Sequence, residues 1–80
     1  MSYEIKYEGA AAELEAINDV KSWLGAKRFE YLVDGLNLLE DTEENRRQAR
    51  FALSFAGVQG FPVEAMCNRY MVRSAQPQEV

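Results

Sequence analysis

Residues 27–40, KRFEYLVDGLNLLE, set Asp34-Gly35 in the middle of an apolar stretch, and the fold class turns on how that dipeptide is read. A helix lines up Phe29, Leu32, Leu36 and Leu39 at three- and four-residue steps, but it puts glycine in the interior, at a cost of roughly 1 kcal/mol relative to alanine. A hairpin uses Asp-Gly as a two-residue type I′ turn, the strongest short hairpin signal. It pairs Val33 with Leu36 and Tyr31 with Leu38 on one face, and Leu32 with Asn37 and Glu30 with Leu39 on the other. Because the hairpin gives one consistent apolar face, residues 27–40 are expected to form two antiparallel strands.

The flanking segments extend this pattern. In SYEIKYE, residues 2–8, Tyr3, Ile5 and Tyr7 alternate with Ser2, Glu4, Lys6 and Glu8, the period of a half-buried strand. The period changes after Gly9. Leu14, Ile17, Val20 and Leu24 recur at helical spacing, and Gly25 is a suitable stop, so a helix is expected over Ala10–Leu24. A second helix is expected to begin at EDTEENRRQAR, residues 40–50, with Asp41 or Thr42 as N-cap and Asp41 and Glu44 at capping-box spacing. Glu43 and Glu44 precede Arg46 and Arg47 at the distance for intrahelical ion pairs. Ala49, Ala52, Leu53 and Ala56 then form an apolar face broadened by Phe51 and Phe55, and Gly57 closes the helix.

The last element fits two periods. Val63, Met66, Cys67, Tyr70 and Met71 fall at helical spacing behind Pro62, whereas Met66, Asn68, Tyr70 and Val72 alternate as a strand would. Closure of the topology favours the strand. The expectation is therefore an α+β fold, a single-layer antiparallel sheet with two helices on one face in the ferredoxin-like order β-α-β-β-α-β. The alternative is a three-stranded sheet with a third, C-terminal helix. Residues 1–73 are expected to make one domain, followed by a flexible polar tail, SAQPQEV, over 74–80.

Eighty residues with 48% hydrophobic and 28% charged content suffice for one core and no second one. The single cysteine, Cys67, excludes an internal disulfide and fits a reducing compartment. No apolar run is long enough to span a bilayer, and the first residues lack signal-peptide character, so a cytoplasmic protein is expected, in the host cytoplasm if phage-encoded. Cys67 lies on an apolar face with Arg69 as its one nearby cation, which reads as a buried structural thiol.

Chemistry is bounded mainly by what the chain lacks. It has no histidine, which excludes histidine-dependent triads and histidine metal sites, and no Walker A, G-x-S-x-G or G-x-G-x-x-G stretch. The carboxylates at 40–44 lack calcium-loop spacing and are accounted for by a helix start. No enzyme, cofactor or metal is expected. Net charge is −4, divided as −7 over residues 1–44 and +3 over 45–80. That polarity argues against a general nucleic-acid binder and suits a protein partner with a basic surface. The expected function is a small acidic protein-binding module, with Glu13, Glu15, Glu40, Asp41, Glu43 and Glu44 as its contact surface. Small acidic proteins of this description occur among phage and mobile-element inhibitors that block nucleic-acid-handling enzymes, anti-CRISPR proteins included. Occlusion of a partner's basic surface is therefore the expected mode, carried by size and charge and by no motif. Tyr3, Tyr7, Tyr31 and Trp23 are candidate interface anchors wherever they face water.

Two alternatives come from other classes. Ala52, Ala56, Gly57, Val58, Val63 and Met66 fall near the positions of a helix-turn-helix, which would make a DNA-binding regulator using Arg46, Arg47, Arg50, Asn68 and Arg69. Leu53 stands where that motif has a small residue. A homodimeric structural subunit is the other, and the chain is expected as a monomer or a homodimer.

Overall fold

The computed structural model describes Tyr7 and residues 9–73. Four helices follow one another: α1 (Ala12–Leu24), α2 (Ala26–Leu36), α3 (Glu43–Phe55) and α4 (Phe61–Tyr70). There is no sheet among the described residues, so the α+β expectation, in both its ferredoxin-like and its three-stranded form, is overturned. The strand expected at 2–8 lies outside the described residues except for Tyr7, as does the tail from 74.

α1 begins two residues later than the spacing suggested and ends at Leu24 as expected. Gly25 is the one residue between α1 and α2, with φ 90° and ψ 156°. That positive φ lets the chain turn without a Cβ clash and restart a helix at once. Its N–H donates to the Lys21 carbonyl at 2.9 Å and its carbonyl accepts from Phe29 N–H at 3.0 Å, so it closes one helix and opens the next.

The expected hairpin is instead α2. Gly35 sits at its second-last position and lies outside the left-handed region that a type I′ turn requires. Helical spacing brings Phe29 and Leu36 into the core and packs Leu32 and Val33 against it, leaving Asp34 outside. Burying a large apolar side chain contributes about 1.5–3 kcal/mol, which outweighs the glycine penalty. The local turn preference therefore loses to tertiary packing.

α3 is bounded by two well-formed ends. Thr42 is the N-cap, its Oγ1 accepting from Asn45 N–H at 3.1 Å. At the other end Gly57, at φ 90°, donates to the Ser54 carbonyl at 2.9 Å, and Val58 N–H donates to the Leu53 carbonyl at 3.0 Å. This is the paired bonding of a Schellman stop, and its accompanying apolar contact is supplied by Val58 and Leu53, both fully buried.

α4 is the helix that the favoured strand reading missed. Pro62 stands in its first turn, where a missing N–H costs nothing, and Val63, Met66, Cys67 and Met71 are buried at helical spacing. α4 packs against α1 most extensively and also touches α2 and α3. A single parallel bridge ties the chain beyond it to the α2–α3 connection. Val72 N–H donates to the Leu39 carbonyl, and Asp41 N–H donates to the Val72 carbonyl, each at 2.8 Å.

Gly35 supplies a direct test of helix against hairpin. An added Cβ there meets nothing within 4 Å. Gly35→Ala is expected to raise stability by about 0.5 kcal/mol in urea unfolding, since alanine is favoured in a helix. A type I′ turn would lose stability from the same change.

Candidate functional site

Arg46 organises the polar surface. It lies on the inward side of α3 with Ala49 and Leu53, and its side chain is only 17% exposed. Its Nε donates to Asp41 Oδ1 at 2.6 Å and its Nη2 to Asp41 Oδ2 at 3.0 Å, a bidentate pair. Nη1 donates to Glu64 Oε1 on α4 at 3.0 Å, and Nη2 also donates to Asn68 Oδ1. Asn68 in turn donates from Nδ2 to Glu13 Oε2 on α1 at 2.8 Å. Arg50, one turn after Arg46, donates from Nε to Glu64 Oε2 at 2.8 Å. A continuous network thus joins α1, the 39–42 connection, α3 and α4.

The charges in this network fix one another. Hydrogen bonding to Arg46 holds the Asp41 carboxyl below the usual carboxylate range. Glu64 is likewise held low, first by Arg50 and further by Arg46. Burial pushes the Cys67 thiol up. The guanidiniums acting on that thiol are those of Arg46 and Arg50, not Arg69 as adjacency in sequence suggested. Cys67 is fully buried, a packed side chain of the core.

This arrangement corrects the local reading of EDTEENRRQAR. No capping box forms, because Asp41 turns to Arg46 and Thr42 takes the cap. Glu43 and Glu44 make no ion pair with Arg46 or Arg47; Arg46 pairs with Asp41 and Glu64 instead. Glu64 was absent from the contact residues expected from sequence, although Arg46 and Arg50 shared a face with Ala49 and Leu53. Two arginines on an inward face require an anion from another element.

The expected contact residues fall into two groups. Glu13 and Asp41 are engaged in the network, whereas Glu15, Glu40, Glu43 and Glu44 are exposed, with no ion-pair partner among the described residues. The Glu13–Asn68–Arg46–Asp41 chain brings the amino ends of α1 and α3 together, so the two acidic clusters belong to one end of the fold. Of the alternative DNA contacts, Arg46, Arg50 and Asn68 are bound internally, and Arg47 and Arg69 remain exposed. α3 and α4 do form a helix, turn and helix, but Ala52 is exposed instead of packing in the turn, and Leu53 fills that space.

Sequence reasoning also placed Phe51 and Phe55 on the apolar face of α3. They lie on the opposite side, 65% and 78% exposed, with rings edge to face at a centroid distance of 4.9 Å. Glu44, Gln48, Phe51 and Phe55 recur at four, three and four residues, which is one outward stripe. Tyr31 and Leu38 are also exposed, and Trp23 is about half exposed. Tyr3 lies outside the described residues.

Among the described residues no three His, Cys, Asp or Glu side chains converge to hold a metal ion, and no helix is long and apolar enough to cross a membrane. No protein-family model matches the chain, and comparisons with curated proteins and with solved structures give no match.

Two depressed carboxylates make stability depend on acid. Groups whose folded pKa is lowered stabilise the fold above their unfolded pKa, and that contribution disappears as pH falls through the folded value. Thermal stability is expected to be level between about pH 5 and pH 8 and to decline below about pH 4. Arg46→Met should cost about 2 kcal/mol at neutral pH and flatten the acid limb, since Asp41 then loses its partner. An unchanged acid limb in Arg46→Met would remove Arg46 from this role.

Proposed function

We propose that the chain is a non-enzymatic protein-binding module that docks the outer face of α3, with its acidic end, on a partner bearing a basic surface. The observation that carries this reading is the exposed Phe51–Phe55 pair on a helix whose opposite face is already buried. Exposed aromatic residues are enriched at the cores of interfaces, where a few buried anchors carry most of the binding energy. Glu43 and Glu44 stand at the amino end of the same helix, with Glu15 and Glu40 exposed at that end of the fold. Such a rim steers a basic partner into place and sets its orientation.

A module of this size and charge acts by occupancy. Covering a partner's nucleic-acid-binding surface would inhibit it without chemistry, as the mobile-element inhibitors of this size class do. Internal pairing of Arg46 and Arg50 takes up two of the four arginines that the helix-turn-helix reading assigned to DNA, which counts against direct binding of duplex DNA.

The test uses wild-type protein immobilised on resin with host lysate, followed by two variants, Phe51→Ser/Phe55→Ser and Glu43→Lys/Glu44→Lys. The serine changes should shift stability by about 0.5 kcal/mol or less, so that variant should melt near the parent temperature. Two lysines in the first turn of α3 oppose the helix dipole and cost about 1–2 kcal/mol, so the second variant should melt below the parent but still cooperatively. A basic nucleic-acid-binding protein retained by the parent is expected to bind each variant at least about tenfold more weakly. Equal retention by all three proteins, or recovery of DNA alone, would contradict the proposal. Self-association in sedimentation that vanishes in the Phe51→Ser/Phe55→Ser protein would assign the face to a homodimer instead.

A further inference from the structure

A second surface lies where the carboxyl end of α1 meets the α3–α4 turn. Tyr7, Trp23, Leu24, Val58, Phe61 and Pro62 line an open groove of about 810 Å³. The Tyr7 and Phe61 rings stack at 5.5 Å with planes 22° apart, making one continuous aromatic wall. Trp23, 56% exposed, contributes a second aromatic surface from α1. None of the lining residues is a cation.

Carboxylates stand beside the groove, outside its lining and joined to it through Tyr7. Glu15, Asp19 and Trp23 follow one another at four-residue steps, so two carboxylates run along α1 toward the indole. Tyr7 Oη donates to Asp19 Oδ2 at 2.7 Å, and the other Asp19 oxygen accepts no hydrogen bond among the described residues. The Tyr7 hydroxyl is pushed up to about 12, by burial first, then by its hydrogen bond to Asp19 and the charges of Asp19 and Glu15.

We infer that this groove receives an arginine side chain of a partner protein, its guanidinium stacked on Trp23 and the Tyr7–Phe61 wall and facing Asp19. Aromatic faces attract cations, and a planar guanidinium adds stacking and directed donors that a lysine lacks. An acidic segment is disfavoured by Asp19 and Glu15, and a purely apolar one would cover the second Asp19 oxygen, which has no hydrogen-bond donor among the described residues. The site is separate from the outward stripe of α3, since none of its lining residues belongs to that stripe.

Trp23 is the one tryptophan in the chain, so its fluorescence reads the groove directly. The probe is a capped Gly-Arg-Gly-Arg-Gly peptide, compared with the same peptide carrying neutral citrulline and with a five-residue oligoproline. The arginine peptide is expected to give a saturable change in emission, with citrulline at least about tenfold weaker. Asp19→Asn keeps an acceptor for the Tyr7 hydroxyl and removes the charge, and it should weaken binding several-fold. Trp23→Leu, followed by calorimetry, should abolish binding while the protein melts as the parent does. Equal binding of the citrulline peptide, tighter binding of oligoproline, or an affinity unchanged in Asp19→Asn would overturn the assignment. The Phe51→Ser/Phe55→Ser protein is expected to titrate like the parent, which separates this site from the α3 face. A response lost in that protein would place the arginine on α3 and overturn the groove.

Discussion

The fold rests on the burial of α4. Ala65, Met66 and Cys67 are fully shielded, Val63 and Met71 nearly so, and α1, α2 and α3 all contribute to the cover. A chain this short has one core to make, and a central helix lets three others bury their apolar stripes against a common element. Such packing leaves the amino end of α3 and the end of α4 side by side, with a polar edge to satisfy. The Arg46 network satisfies it, meeting Asp41, Glu64 and Asn68 with one guanidinium. Where the core sets which helices touch, the network sets how the 39–42 connection and the amino end of α1 are held against them.

Local signals in the sequence were legible wherever the structure depends on neighbours in the chain. α1 and its Gly25 stop, the Thr42 cap and the Gly57 stop all follow from short-range rules, and each is present. Cys67 was legible as a core thiol for the same reason: its helical neighbours are apolar. The errors occur where two local patterns compete and a distant contact decides. Asp34-Gly35 is an excellent turn only if a sheet exists to receive both strands. Without one, Phe29 and Leu36 gain more from facing α1 and α4 as a helix. Val63 to Val72 fits either period, and burial of Cys67 together with Met66 distinguishes them, since a strand would have placed those two on opposite faces.

The candidate surfaces show the same division. An excess of acid at the start of α3 was visible, but the fate of each carboxylate was not, because Asp41 answers to Arg46 and Glu13 to Asn68 across the fold. Phe51 and Phe55 were assigned to the core by their apolarity, although their spacing with Glu44 and Gln48 placed them on a polar stripe. α3 buries Ala49 and Leu53 with Arg46 on its inward side and carries the two aromatic rings outward beside polar residues. The groove of Tyr7, Trp23 and Phe61 joins residues far apart in sequence, and no local pattern connects them.

Native-state amide hydrogen exchange measured residue by residue tests this account most directly, because it ranks the elements by how they depend on one another. If α4 is the shared core, the amides of Met66 and Cys67 exchange only through global unfolding, those of α3 near Leu53 follow closely, and residues 30–34 show helical protection. Fast exchange in α4, or a protection pattern over 27–40 that alternates as in a hairpin, would contradict the four-helix architecture on which both proposed surfaces depend.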